Sequence, residues 1–214
     1  MAKVSNYKTF DLSTLSFGKP YKYHNVYKSD IHINGSKDRL YVQGPKMVIE
    51  DIKGLKFELQ MRDNSKFKVF LEELDTKCKH MVTDNSLSWF KKQLPEKHIN
   101  KVYNGTYAKG DTSEDNILKS YLETNNENVL TMVYDINAEK ITYDGLMPSD
   151  EVICIFKLDS LLISKSYIRC VLNIAQIKMC TEPILDTYCI KSEYESCEDV
   201  EDNFEFEVES GSCE

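Results

Sequence analysis

Glycine, proline and arginine are scarce in this chain of 214 residues, at eight, five and three. Eight scattered glycines leave no Gly-rich phosphate loop. Neither G-x-S-x-G nor H-E-x-x-H occurs, so the common hydrolase and zinc-protease arrangements are missing. The adjacent acids Glu72 and Glu73 fall inside a helical pattern, where a solvated face explains them better than acid–base chemistry. An enzyme is therefore not expected, and no cofactor is implied. No apolar run approaches the ~18 residues of a membrane span. The opening residues MAKVSNYKTFDLSTL lack a basic n-region and an apolar h-region. The expectation is a soluble chain without a membrane partner, kept in the compartment where it is made.

The seven cysteines are odd in number and contain no C-x-x-C pair, and the four histidines lie far from most of them in sequence. With no route to an oxidising compartment, a disulfide framework is not expected, nor is zinc. Reduced thiols acting as small apolar residues remain. Arg39, Arg62 and Arg169 are the only arginines, and the excess of Lys, Asn and Ile points to an AT-rich genome.

What is present is unevenly distributed charge. The formal net charge is −8, yet residues 192–214 alone carry ten acids and no Lys or Arg. Without them the chain has 27 basic and 25 acidic residues, a net of +2. Residues 1–109 carry 20 Lys+Arg against 12 Asp+Glu, and residues 110–191 carry 7 against 13. So dense a run of acids cannot bury enough surface to order itself, and residues 192–214 read as a disordered acidic tail on a body of residues 1–191. Within it Phe204 and Phe206 alternate with Glu205 and Glu207, a pattern suited to docking into a basic, apolar groove. A plain solubility tail is the alternative.

The periodicities give a mainly β reading. Strands are predicted over 24–33, 39–43 and 46–50, the last two broken at Gly44-Pro45. Residues 55–61 alternate, with Leu55, Phe57, Leu59 and Met61 facing inward. Phe67, Phe70, Leu71, Leu74, Cys78 and Met81 then recur at helical spacing, predicting an amphipathic helix over 65–80. Two short helices follow, over 86–93 and from Pro95 to Tyr103, and then a loop over 104–115. Strands return over 129–136 and 140–143 as a hairpin, and over 151–158, 161–163 and 167–179. Strands, a helical insert at about 64–104, then strands again predict a small antiparallel OB-like barrel with an α-helical insertion.

The strongest functional signal is KPYKYHNVYK at 19–28, which interleaves Lys19, Lys22 and Lys28 with Tyr21, Tyr23 and Tyr27. Single strands are held by aromatic platforms that stack bases and by cations that follow the phosphates. The competing reading is ordinary cross-strand tyrosine pairing with lysines facing water. A second candidate lies in the insert, where Trp89 and Phe90 adjoin Lys91 and Lys92; Trp89 itself reads as core more readily than as a platform.

Short motifs add a resemblance. Leu172, Gln176 and Ile177 in the last strand resemble the closing strand of the phage-type single-stranded-DNA-binding proteins. The segment Leu40-Tyr41-Val42-Gln43 with Pro45, and the segment Ser86, Trp89, Phe90, Lys92, Pro95, resemble versions encoded by nucleocytoplasmic large DNA viruses. The likeness spans roughly 15–180. It implies an OB-fold barrel, sequence-independent binding of single-stranded DNA in replication, repair or recombination, and an acidic tail that contacts replication proteins. The site would be at the viral replication site, in the host cytoplasm or nucleus. The chain departs from the family where an aromatic hairpin gives way to Leu161–Ser166, and where the end is Cys213-Glu214. Tyr21, Tyr23, Tyr27 and Tyr41 are the expected stacking residues. Lys19, Lys22, Lys28, Arg39, Lys91 and Lys92 are the expected phosphate contacts. The sequence leaves DNA against RNA open, and also self-association. The alternative function is a non-enzymatic viral structural or scaffold protein.

Overall fold

Period-two burial runs through Lys56–Gln60, Ile117–Leu122 and most of the two long closing strands, and it sets the architecture. The computed structural model describes residues 4–36, 38–62, 65–110, 116–126 and 128–180. The tail over 192–214, with Phe204 and Phe206, lies outside the described residues.

The first strands are β1 (Val4–Asn6), β2 (Leu15–Phe17), β3 (Tyr21–Tyr23), β4 (Val26–Ile33), β5 (Tyr41–Lys53) and β6 (Lys56–Gln60). Helices α1 (Ser65–Phe90) and α2 (Glu96–Val102) interrupt them. Then come β7 (Tyr107–Ala108), β8 (Ile117–Leu122), β9 (Thr124–Asn125), β10 (Asn128–Val129), β11 (Met132–Tyr134) and β12 (Lys140–Ile141). The long strands β13 (Glu151–Ile163) and β14 (Ile168–Met179) close the described chain.

Five strands pair in a circuit. β5 pairs with β6, β6 with β8, and β8 with β14 in parallel; β14 then pairs with β13, and β13 returns to β5. Their inward side chains form the core, including Val42, Phe57, Leu118, Phe156 and Ile174. Helix α1 buries Phe67, Leu71, Leu74, Cys78 and Val82 in the same cluster. A mainly β protein with a helical insertion therefore stands. Four cysteines, Cys78, Cys154, Cys170 and Cys180, are free thiols, the first three buried.

Four details differ from the sequence reading. Gly44-Pro45 does not break a strand: β5 runs through it. Gln43 pairs with Ile155 and Lys46 with Ile153, so two residues of β5 oppose Cys154 alone. That bulge needs no ladder bond from Pro45, which has no N–H. Gly44 belongs there because a Cβ would sit 2.9 Å from the Phe156 ring. The separate helices at 65–80 and 86–93 are one. Thr83, Asn85, Ser86 and Ser88 each turn a side-chain donor back to a carbonyl three or four residues earlier, so these polar side chains are satisfied within the continuous helix. Strand β13 likewise runs unbroken past Asp159, with an irregularity between Leu158 and Ser160. Finally, Leu55 lies in the β5–β6 turn and is exposed, while Phe57, Leu59 and Met61 face the core as expected.

One strand of the circuit had no counterpart in the sequence reading. In β8, Leu118, Ser120 and Leu122 point inward, and Lys119 and Tyr121 outward. The buried Ser120, whose hydroxyl donates to the Leu172 carbonyl, interrupts the apolar alternation.

Candidate nucleic-acid interface

Hairpin β3–β4 turns through His24-Asn25, with Tyr21 opposite Lys28, Lys22 opposite Tyr27, and Tyr23 opposite Val26. His24 takes φ of 49° in that two-residue turn. Alternation sends Tyr21, Tyr23 and Lys28 to one face and Lys22 and Tyr27 to the other. All three tyrosines are exposed, at 45%, 46% and 48%. None of them is a core residue, which is the placement that stacking requires.

The Lys22–Tyr27 face meets the end of α1. The Tyr27 ring stands edge-on to Phe90, centroids 6.1 Å apart, and Phe90 is edge-on to Trp89. The helix ends at Lys91, in left-handed conformation with φ of 57° and its N–H on the Leu87 carbonyl. The following segment folds back on the helix. Gln93 Nε2 donates to the Thr83 carbonyl, and the Leu94 N–H donates to Ser86 Oγ. Lys91 and Lys92 are thereby held beside the Tyr27–Phe90 contact. Two candidates far apart in sequence thus become one surface. Among the described residues, Lys19, Lys22, Lys91 and Lys92 are exposed and make no ion pair. Trp89 and Phe90 are half-buried against the core.

The opposite face is electrostatically compensated. Lys28 Nζ lies 2.7 Å from Asp159 and 5.4 Å from the Tyr23 ring centroid. Lys157 bridges Asp159 at 3.0 Å and Glu123 at 2.8 Å. Burial alone would push the Asp159 carboxyl up. The hydrogen bonds and charges of Lys28 and Lys157 outweigh it and hold the group below the usual aspartate range. Burial opposes the charge on Lys28 too, and Asp159 keeps it above the ordinary lysine value. Lys28 is thus committed to a carboxylate. Tyr21 donates to Asp30 Oδ1 at 3.1 Å. Arg39 is exposed, and a hydrogen bond with Tyr41 is the first cause holding its guanidinium above the ordinary arginine value. Tyr41, half-buried on β5, lies directly across from Lys157.

That row continues around the circuit. Lys157 faces Asn173, Asn173 faces Tyr121, and Tyr121 faces Lys56, all on the outer surface. Beside it, Arg169 lies 5.9 Å from the Tyr121 ring centroid and 5.7 Å from that of Tyr167. Sequence reasoning missed this cluster. Arg169 sits inside an apolar strand pattern, and Tyr121 sits on the strand that was not found. The isolated arginine in YIRCVLNIAQIKM was the available signal, since only three arginines occur in the chain.

Among the described residues, no three of His, Cys, Asp or Glu gather as they would to hold a metal ion, and no helix is long and apolar enough to cross a membrane.

The family model described as "Family of unknown function (DUF5871)" matches residues 45–196. No curated protein matches the chain. Among solved structures, the chain is similar to gp2.5, a single-stranded DNA binding protein encoded by bacteriophage T7. Identity there is 10%, coverage is 79% of this chain and 100% of that one, and the TM-score is 0.49. It is also similar to the single-stranded DNA-binding protein from bacteriophage Enc34, at 9% identity, 89% and 99% coverage, and a TM-score of 0.43. The same protein in complex with ssDNA gives 10% identity, 78% and 98% coverage, and 0.42. Likenesses this loose leave the function to the chain's own residues.

Proposed function

The chain belongs to a family of unknown function (DUF5871), and on its own geometry we propose that it binds single-stranded nucleic acid, DNA foremost, without regard to sequence. The observation that carries this is the surface where Tyr27 meets Phe90 and where Lys22, Lys91 and Lys92 stand exposed, with no ion pair among the described residues. An exposed ring beside unpaired cations offers a base a face to stack on and its phosphates a charge to meet. A structural role would instead bury Tyr21, Tyr23 and Tyr27, and all three are exposed. No base-reading side-chain pattern is needed, because every base has a stacking face.

The closed circuit of five strands, with β8 and β14 parallel and the rest antiparallel, is read here as a small OB-like barrel. The wider reading is a protein of a nucleocytoplasmic large DNA virus that coats single strands in replication, repair or recombination. It needs no cofactor and performs no catalysis. Residues 192–214 act as an acidic competitor for the basic surface and as the contact for replication proteins. The test is fluorescence anisotropy of the full chain on labelled oligothymidine at about 50 mM salt, where phosphate contacts are strong. Saturable binding that is indifferent to base composition supports the reading. Absence of binding under these conditions rejects it.

A further inference from the structure

We propose that the cleft between β8 and β14 is a nucleotide subsite: one base stacks on Tyr121 while Arg169 and Lys119 hold its phosphate. The inference rests on the single-strand reading above and adds a second, separate contact region to it.

The cleft arises from the topology. β8 and β14 pair only at Tyr121–Asn173 and Leu122–Ile174, then diverge. Residues 104–108 fill the gap from one side. Asn104 is tied by its N–H to the Ile168 carbonyl, and Tyr107 pairs with Leu118. A cleft of about 280 Å³ remains, lined by Gly105, Thr106, Lys119, Tyr121, Arg169 and Val171 among others.

Three observations give it a chemistry. First, Arg169 lies 5.9 Å and 5.7 Å from the ring centroids of Tyr121 and Tyr167, and not beside a carboxylate. Among the described residues it makes no ion pair. Second, Arg169 Nε is buried without a hydrogen-bond partner, the only such side-chain nitrogen or oxygen among the described residues. A guanidinium fixed in place, desolvated in part and lacking an acid is a receptor for an anion, and its planar fork suits phosphate. Third, Tyr121 as a residue stays 37% exposed with the guanidinium near its ring, so area remains for a planar partner. Lys119, exposed on the same outward side of β8, adds a second cation at the rim. Aromatic area, a fixed cation and a concave wall together match one nucleotide of a single strand better than a free anion, which would not use the ring.

The wall is preorganised. Asp75 of α1, buried at 8% exposure, accepts from the Thr106 N–H at 2.9 Å and from the Tyr103 hydroxyl at 2.8 Å. The Tyr107 hydroxyl donates to Glu72 at 2.6 Å. Both contacts pin residues 103–107 to the helix, so the cleft persists without ligand.

The test uses the full chain, a labelled oligothymidine and an abasic strand of equal length. Tyr121→Ala is expected to weaken oligothymidine binding about 5- to 150-fold, the range for one lost base stack, and to leave the abasic strand unaffected. Lys119→Glu is expected to weaken both strands. A single 5-iodouracil placed along the oligothymidine is expected to photo-cross-link to the β8 peptide. If Tyr21→Ala and Tyr27→Ala weaken binding while Tyr121→Ala and Lys119→Glu match the parent, the subsite is wrong and the single-strand reading survives. If the parent itself does not bind, both fall. Should Tyr121→Ala melt early, exposed Lys119→Glu and the cross-link decide the question alone.

Discussion

The hairpin surface and the β8–β14 cleft hold the same two ingredients, tyrosine and a cation, in opposite physical states. At the hairpin the tyrosines stand exposed where β4 pairs with β3 on one side and with β13 on the other, and among the described residues Lys22, Lys91 and Lys92 are exposed and make no ion pair. In the cleft the cation lies near two tyrosine rings and the wall is tied to α1 through a buried carboxylate. The exposed lysine side chains at the hairpin lose rotamer freedom when they meet a phosphate, which is an entropic cost on binding. The cleft is already ordered, so its contacts depend on the stability of the fold.

This contrast predicts separable mutants. The largest effect is expected for Asp75→Ala. It leaves the buried Thr106 N–H and the Tyr103 hydroxyl without their acceptor, and each such loss costs about 1–3 kcal/mol. A clear drop in melting temperature by circular dichroism is the expected result; an unchanged melt means that the wall does not need its carboxylate. Burial holds the Asp75 carboxyl above the ordinary aspartate range in spite of these hydrogen bonds. A raised aspartate pKa gives stability that is present at low pH and lost as pH rises through the folded value. The Asp75→Asn variant should therefore lack that decline.

Next in size are the hairpin tyrosines. Tyr27→Ala should weaken oligothymidine binding by ~1–3 kcal/mol while shifting the melting temperature little, because the ring contributes no core. Unchanged affinity with an early melt would reverse the comparison and make the hairpin structural. Smaller again is the electrostatic share. Changing Lys22, Lys91 and Lys92 to Ala should flatten the log–log salt dependence by roughly 0.7 for each phosphate contact removed. A slope equal to the parent's would place the phosphates elsewhere.

The smallest effect concerns the compensated face. The Asp159 carboxyl lies below its usual range because Lys28 and Lys157 outweigh its burial. A depressed pKa contributes stability that is present above the unfolded value near ~3.9 and is lost as pH falls through the folded one. Asp159→Asn should remove this part of the acid decline in melting temperature while leaving strand binding near parent strength at neutral pH. A large loss of binding would show that this ion network positions Tyr23.

Much of the fold was legible because burial leaves a periodic trace. The alternation in Lys56–Gln60 and in the two long closing strands, and the helical spacing from Phe67 to Cys78, each report one buried face. Errors came where a local signal was overruled by partners. Gly44-Pro45 reads as a break until Cys154 opposite supplies the bulge. The stretch between residues 80 and 86 reads as a gap between two helices, and in the structure one helix, Ser65–Phe90, runs through it. In β8, one inward serine bonded to the Leu172 carbonyl hid the strand.

The sequence by itself determined that Tyr21, Tyr23, Tyr27 and the lysines among them are concentrated near the start of the chain, and that strands flank a helical insert. Composition and period are properties of the chain, and they survive any folding. Only the tertiary structure decided which of those residues act together. Strand alternation divides Tyr27 from Tyr21 and Tyr23, and packing of α1 brings Phe90, next to Lys91 in the chain, to Tyr27. Pairing of β4 with β13 gives Lys28 to Asp159, and the meeting of β8 with β14 sets Arg169 near Tyr121, with no ion pair to Arg169 among the described residues. Whether a cation is neutralised or left available depends on what long-range pairing places within a few ångströms of it, because Coulomb energy falls with distance in space and not in sequence.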